Sequence, residues 1–154
     1  NHTIGFHERT ETIDDDCSFL PDGFYGLSKA YGELIGRLYW HKHGVESVFI
    51  RIGSAFPEPV DARMLATWLS YPDLARLVER CIVAEKTGTG VIWGASANER
   101  MTWWGRDVRA SLGWEPRDSA DTFAGQLAGK LSGDPVAERY MGGGFCGMEY
   151  SKGE

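Results

Sequence analysis

The chain contains 154 residues, which is enough for one domain with a hydrophobic core. Its formal net charge of −6 argues against a nucleic-acid-binding protein, because contacts to phosphate groups need a basic surface. No apolar run approaches the roughly 20 residues that a membrane-spanning helix needs, and three widely spaced cysteines are typical of reduced thiols in a cytoplasmic protein.

The first predicted elements are an irregular acidic segment and a long helix. Residues 1–22 show no periodicity, and Pro21-Asp22-Gly23 is a turn signal. A helix is predicted from about Phe24 to His43, and Gly44 is a natural C-terminal cap. The apolar residues at helical spacing are Leu27, Tyr31, Leu34, Ile35 and Leu38.

Strands and helices alternate along the rest of the chain, and the tail after Gly133 is glycine-rich and poorly patterned. This alternation favours an α/β fold with a parallel sheet. Two or three strands are few beside the roughly five or six of an average sheet, so we expect that an N-terminal half is missing. The predicted elements are a strand at 47–52, a loop at 53–59, a helix at about 72–86, a strand at 91–93, and helices near 106–112 and 119–131.

Tyr25 and Lys29 form the candidate catalytic pair. They are four residues apart at the start of the predicted helix, so both side chains lie on one face. A Lys ammonium beside a phenol stabilises the phenolate, which can take the proton of a sugar hydroxyl while a hydride leaves the same carbon. Lys29 can also donate to a cofactor ribose. The spacing by itself also fits a solvent-facing helix pair.

Three motifs carry a family resemblance. They are the helix sequence Tyr25-Gly26-Leu27-Ser28-Lys29-Ala30 with Gly32-Glu33, the strand Phe49-Ile50-Arg51-Ile52-Gly53, and the turn Leu112-Gly113-Trp114-Glu115-Pro116-Arg117. Together they resemble the extended short-chain dehydrogenases/reductases. The resemblance implies that the chain is the C-terminal portion of a Rossmann-like (NAD(P)-binding) fold. Residues 1–154 would then be the catalytic and substrate-side part of a single domain, without its N-terminal dinucleotide-binding half.

A second group of motifs is more specific. It consists of Asn1-His2-Thr3-Ile4-Gly5, Arg51-Ile52-Gly53-Ser54, Pro57-Glu58-Pro59, Arg63-Met64-Leu65, Thr67-Trp68 and Trp93-Gly94-Ala95-Ser96-Ala97-Asn98. Over nearly the whole chain, these motifs resemble the uronate dehydrogenases. The resemblance implies oxidation of a free hexuronic acid, glucuronate or galacturonate, at C1 to an aldarolactone, with NAD as the cofactor. A homo-oligomer is expected from the same resemblance.

The resemblance also implies roles for individual residues. Tyr25 would be the base and Lys29 its partner, and both would contact the cofactor. The catalytic Ser of the family would directly precede Asn1, so this chain alone is expected to be inactive. Gly142-Gly143-Gly144-Phe145-Cys146-Gly147 matches a dinucleotide-binding GxGxxG literally, but no predicted strand precedes it and too few residues follow for a helix that could hold a pyrophosphate.

Four further residues are candidate substrate contacts by the same resemblance. Asn1 and His2 would line the sugar, and Ser54 would contact it from the loop after the strand. Arg63 would clamp the carboxylate, a role that suits a planar guanidinium. From the residues alone, His2 equally fits a structural hydrogen bond, Ser54 a loop cap and Arg63 a solvated surface charge.

Two other functions stay open at this point. One is a nucleotide-sugar epimerase or dehydratase of the same family, although only 125 residues follow Lys29 and no basic cluster for a diphosphate is evident. The other is a Rossmann-like regulator that binds a dinucleotide without turnover, although such proteins often lose the Tyr-Lys pair. No metal site is predicted, because His41 and His43 do not share a helix face.

Overall fold

The computed structural model describes residues 1–152. Within this range, no helix is long and apolar enough to cross a membrane. The elements in chain order are α1 (Phe24–His43), β1 (Ser47–Ile52), β2 (Ser54–Ala55), α2 (Met64–Thr67), β3 (Trp68–Leu69), α3 (Tyr71–Val83), β4 (Thr89–Gly94), α4 (Arg109–Leu112), a 3₁₀ helix (Ala120–Phe123) that continues into α5 (Ala124–Leu127), α6 (Pro135–Arg139) and α7 (Gly144–Gly147).

Helix α1 begins and ends at the predicted residues. Gly44 terminates it in the left-handed conformation with a φ of 66°, and its N–H donates to the Trp40 carbonyl oxygen. The residues that α1 buries are small or charged, namely Gly26, Ala30 and Glu33. The side of the helix that carries its apolar residues is exposed, as shown by Leu27 at 54%, Tyr31 at 65%, Leu34 at 53%, Ile35 at 37% and Leu38 at 50%.

Strands β1 and β4 form a two-stranded parallel sheet with a helix on each face. Ser47 pairs with Thr89 at one end and Ile52 with Gly94 at the other. On one face, Gly36 of α1 lies directly against the Phe49 ring, where a larger residue would overlap it. On the other face, Leu77 of α3 packs with Ile92 in a core that also includes Leu112 and Trp114. The strand prediction at 91–93 is therefore confirmed, with β4 extended at both ends.

Several short elements were not predicted from the sequence. Strands β2 and β3 form a second parallel pair, in which Ser54 is opposite Trp68 and Ala55 opposite Leu69. The prediction of one continuous helix over 119–131 is wrong, because a 3₁₀ turn precedes the single turn of α5. The tail contains α6, which Asp134 caps by accepting from the Val136 N–H at 2.9 Å. It also packs into the core, where Met141 and Ile4 join the cluster around Trp93.

Asp73 is a buried junction between α3 and the loops that follow β4 and α4. Its side chain is 0% exposed. One carboxylate oxygen accepts from Ser96 Oγ at 2.7 Å and from the Asp118 N–H at 3.0 Å, and the other accepts from the Arg117 N–H at 2.9 Å and from Arg76. Burial raises the pKa of Asp73, but these hydrogen bonds outweigh it and hold the pKa below its ordinary value of 3.8.

Asp73→Asn is expected to reduce the free energy of unfolding by about 3 kcal/mol at pH 7, because hydrogen bonds to charged groups contribute about 1.5–3 kcal/mol each. Since the folded-state pKa is lowered, the stabilisation is complete above roughly pH 5 and is lost as the pH falls through that pKa. The difference between the free energies of unfolding at pH 7 and at pH 3, measured with urea, should be smaller in the variant than in the unsubstituted protein. Asp16→Asn, at a 75% exposed side chain, is the matched control. A loss below about 1 kcal/mol would contradict the assignment.

Candidate active site

The start of α1 lies directly on the first residues of the chain. A Cβ on Gly26 would overlap the His2 carbonyl oxygen, so glycine permits this close approach. One helical turn holds Tyr25 and Lys29 together, with Lys29 Nζ 5.2 Å from the centroid of the Tyr25 ring. Tyr25 is 57% exposed. Both side chains line a cavity of about 450 Å³, whose other walls include Asn1, His2 and the edge of β1.

The Asn1 side chain presents a hydrogen-bond donor without a partner. Its Oδ1 accepts from the Thr3 N–H at 3.0 Å and from Thr3 Oγ1 at 2.8 Å, which fixes the amide. Its Nδ2 is buried and has no hydrogen-bond partner within residues 1–152. Buried donors are nearly always satisfied, so an acceptor outside residues 1–152 is expected to pair with this amide.

His2 is held on three sides. Its Nδ1 is 2.8 Å from Asp22 Oδ2. Its ring stands edge-on to the Tyr25 ring, with the two centroids 5.4 Å apart, and it packs against Phe145 at a centroid distance of 4.1 Å. The interaction with Asp22 fits the structural hydrogen bond that the sequence left open for His2. The proximity to Tyr25 also places the imidazole beside the candidate base.

Ser54 and Arg63 form a second polar cluster. Arg63 Nε and Nη2 donate to the Met141 carbonyl oxygen at 3.0 and 2.6 Å, and Arg63 Nη1 donates to Ser54 Oγ at 3.2 Å. Burial lowers the pKa of the Arg63 guanidinium, and the nearby charge of Arg9 acts in the same direction. Among the described residues, no carboxylate forms a salt bridge with Arg63. Arg63 is thus a partly buried cation that forms no salt bridge among residues 1–152, although the charges of Asp61 and Asp22 act to raise its pKa.

The glycine-rich tail connects the two clusters. Gly143 lies so close to Arg63 that a Cβ there would approach its Cδ and Nε to 2.9 Å, and two residues later Phe145 packs on His2. The sequence analysis did not predict this role of the tail. The run of three glycines was its one signal, since such a run permits close backbone approach.

The GxGxxG sequence at 142–147 does not form a dinucleotide-binding turn. Helix α6 precedes it where a Rossmann phosphate site needs a strand, which confirms the sequence-based rejection. Helix α7 lies within the motif itself and has only four residues, and none of the described residues after it forms a helix that could hold a pyrophosphate. In the described part of the chain, no group of three or more His, Cys, Asp or Glu side chains could hold a metal ion. All three cysteines are free thiols.

Comparison with known proteins gives a consistent result, although no family model matches the chain. The chain is 44% identical to the uronate dehydrogenase of Pseudomonas putida over 148 residues, which are 95% of this chain and 55% of the relative. The chain is homologous to about half of a uronate dehydrogenase. The glucuronic acid dehydrogenase of Chromohalobacter salexigens is 48% identical, with a TM-score of 0.89 over 96% of this chain and 56% of that one.

A third similar protein carries a ligand. It is the uronate dehydrogenase of Agrobacterium tumefaciens in a tyrosine-to-alanine mutant complexed with NAD, at 40% identity and a TM-score of 0.87 over 95% of this chain and 56% of that one. The predicted resemblance to uronate dehydrogenases and the predicted fold class, an α/β portion of their Rossmann-like fold, are thereby confirmed. The roles assigned to single residues stay predictions.

Proposed function

We propose that the protein containing this chain is an NAD-dependent oxidoreductase that converts a free hexuronic acid, glucuronate or galacturonate, to an aldarolactone by oxidation at C1. The likeness to uronate dehydrogenases supports this proposal, and so do two features of the described residues. We assign to residues 1–154 the catalytic and substrate-side part of one Rossmann-like domain. The expected homo-oligomer and cytoplasmic location stay predictions.

Tyr25 and Lys29 carry the proposed chemistry. The Tyr25 phenolate takes the proton of the anomeric hydroxyl, and the Lys29 ammonium stabilises the phenolate and donates to the cofactor ribose. NAD, when bound, would accept the hydride from C1. The residues of this chain fit the nicotinamide and ribose end of the cofactor, because Tyr25 and Lys29 line an accessible cavity with the partnerless amide of Asn1.

The environment of Arg63 is the observation that supports a uronic acid as the substrate. A partly buried guanidinium that forms no salt bridge among residues 1–152 is costly, and an acidic substrate would neutralise it. Ser54 Oγ accepts from Arg63 Nη1 at 3.2 Å and lies 3.0 Å from Thr67 Oγ1, which orients the guanidinium. A uronic acid offers a carboxylate at C6 and a hydroxyl at C1, and we assign the carboxylate to Arg63 and the hydroxyl to Tyr25.

NADH formation tests the proposed function. The full-length protein that contains this chain should reduce NAD with glucuronate or galacturonate and should be inactive with UDP-glucuronate. Activity with the nucleotide sugar alone would instead support an epimerase-like enzyme of the same family. Tight dinucleotide binding without turnover of any of these sugars would support a non-catalytic regulator.

Arg63→Met is expected to raise KM for a uronate by about 10- to 150-fold with a smaller effect on kcat, because a charge-assisted hydrogen bond contributes about 1.5–3 kcal/mol. Arg63→Lys should recover only part of this loss, since an ammonium cannot bind a carboxylate through two parallel N–H groups. Steady-state kinetics with the uronate and with the matching neutral hexose separates the two roles. An equal rise in KM for both sugars would mean that Arg63 has only a structural role, through its hydrogen bonds to Met141 in the tail.

A further inference from the structure

Asp22 lies in the turn before α1, but its side chain is buried, whereas the polar side chains of turns are usually exposed. Its side chain is only 1% exposed, and its Oδ2 is 2.8 Å from His2 Nδ1. Its backbone N–H donates to the His2 carbonyl oxygen at 3.2 Å, so it holds His2 by backbone and side chain together. The carboxylate therefore lies behind the imidazole that lines the candidate active site.

Two glycines make room for this carboxylate. A Cβ on Gly5 or on Gly142 would overlap Asp22 Oδ2, although the two glycines belong to opposite ends of the chain. Within residues 1–152, Asp22 Oδ1 is buried and accepts no hydrogen bond. A carboxylate kept only for stability would be expected to have both oxygens satisfied. Among residues 1–152, the one side-chain hydrogen bond of Asp22 is the bond to His2.

That role follows from the chemistry of the imidazole. An ionised carboxylate only accepts hydrogen bonds, so the proton of a neutral His2 ring resides on Nδ1 and leaves Nε2 as an acceptor. The Tyr25 and Phe145 rings both pack against the imidazole and restrict its rotation. We propose that Asp22 is a positioning residue that sets the tautomer of His2, so that Nε2 accepts a hydrogen bond from a sugar hydroxyl beside Tyr25. The sugar contact rests on the proposed function.

The tautomer can be measured without a substrate. Imidazole ¹⁵N and ¹H correlations of the ¹⁵N-histidine-labelled full-length protein should show His2 protonated at Nδ1 and bare at Nε2, with His2→Asn providing the assignment. Asp22→Asn should move the proton to Nε2, because the asparagine amide can donate to Nδ1. Protonation of His2 at Nε2 in the unsubstituted protein would overturn the proposal even if Asp22→Asn failed to fold.

Kinetics then tests whether Asp22 acts through His2. Asp22→Asn should lower kcat/KM for the uronate by about 10- to 100-fold, because a protonated Nε2 can no longer accept a hydrogen bond from the sugar and leaves that hydroxyl unsatisfied. In a His2→Asn background, the same substitution should change kcat/KM by less than about threefold. Asp16→Asn, in the exposed part of the preceding loop, is the control and should leave kcat/KM unchanged.

If the effects of Asp22→Asn and His2→Asn on kcat/KM were fully additive, the coupling between the two residues would be refuted. A purely structural role of Asp22 would lower the unfolding midpoint without changing the tautomer, which would also refute the proposal. The absence of uronate turnover by the unsubstituted protein would count against the proposed function alone, because the tautomer measurement needs no sugar.

Discussion

Tyr25→Phe is expected to reduce kcat for uronate oxidation by about 10³-fold, within the 10²- to 10⁴-fold range of positioned general bases. The substitution removes only the phenolic oxygen, so the ring keeps its edge-on contact with His2 at 5.4 Å. Lys29, whose Nζ is 5.2 Å from that ring, loses the phenolate that it would stabilise. The unfolding midpoint should be almost unchanged, because Tyr25 is 57% exposed.

The test compares initial rates of NADH formation at saturating uronate and NAD. Tyr31→Phe is the matched control, since Tyr31 lies on the same helix at 65% exposure and does not line the cavity. Its kcat should stay within about twofold of the unsubstituted value. A Tyr25→Phe enzyme that retained a tenth of the activity would exclude Tyr25 as the base and would transfer that role to another group.

Glu33→Gln is expected to reduce the free energy of unfolding by about 3–5 kcal/mol, because it leaves a buried cation without its counter-ion. Arg51 Nε and Nη2 donate to the two Glu33 carboxylate oxygens, each at 2.9 Å, and the two side chains are 2% and 7% exposed. The pair connects β1 to the middle of α1. The Trp93 ring, 5.2 Å from the Arg51 guanidinium carbon, covers the guanidinium but cannot replace the charge.

Urea or thermal unfolding of the full-length protein measures this loss. Glu85→Gln, at an exposed position just after α3, should change the free energy of unfolding by less than about 0.5 kcal/mol. The double variant Glu33→Leu/Arg51→Met should recover much of the stability, because two well-packed apolar side chains often replace a buried ion pair at little cost. A loss below about 1 kcal/mol in Glu33→Gln would mean that water or another group compensates Arg51.

The bounds of α1 and β1 could be predicted because local signals specify them. Gly44 ends α1 in a conformation that glycine adopts easily, and the β-branched run at 47–52 forms the strand. The same periodicity could not predict that, among residues 1–152, α1 buries a charged side chain against β1. Leu27 and Leu34 are more than half exposed, whereas Glu33 is 5% exposed, because Arg51 on β1 supplies its partner.

The short elements of the tail could not be predicted for a related reason. Helices of four or five residues contain too few turns to produce a periodic pattern, and nucleation disfavours them in isolation. Contacts between distant residues stabilise them instead, as when Arg63 donates to the Met141 carbonyl oxygen 78 positions away. In the same way, the turn signal at Asp22 contained no information about the burial of the Asp22 side chain behind His2.

The sequence by itself determined the α/β class, the long helix and the pairing of Tyr25 with Lys29, because each depends on residues a few positions apart. Only the tertiary structure decided which groups surround that pair. It placed Asp22 behind His2, packed Phe145 against the His2 ring, and left Arg63 without a salt bridge among residues 1–152. Those outcomes depend on burial and on contacts between segments far apart in the chain, which no local pattern records.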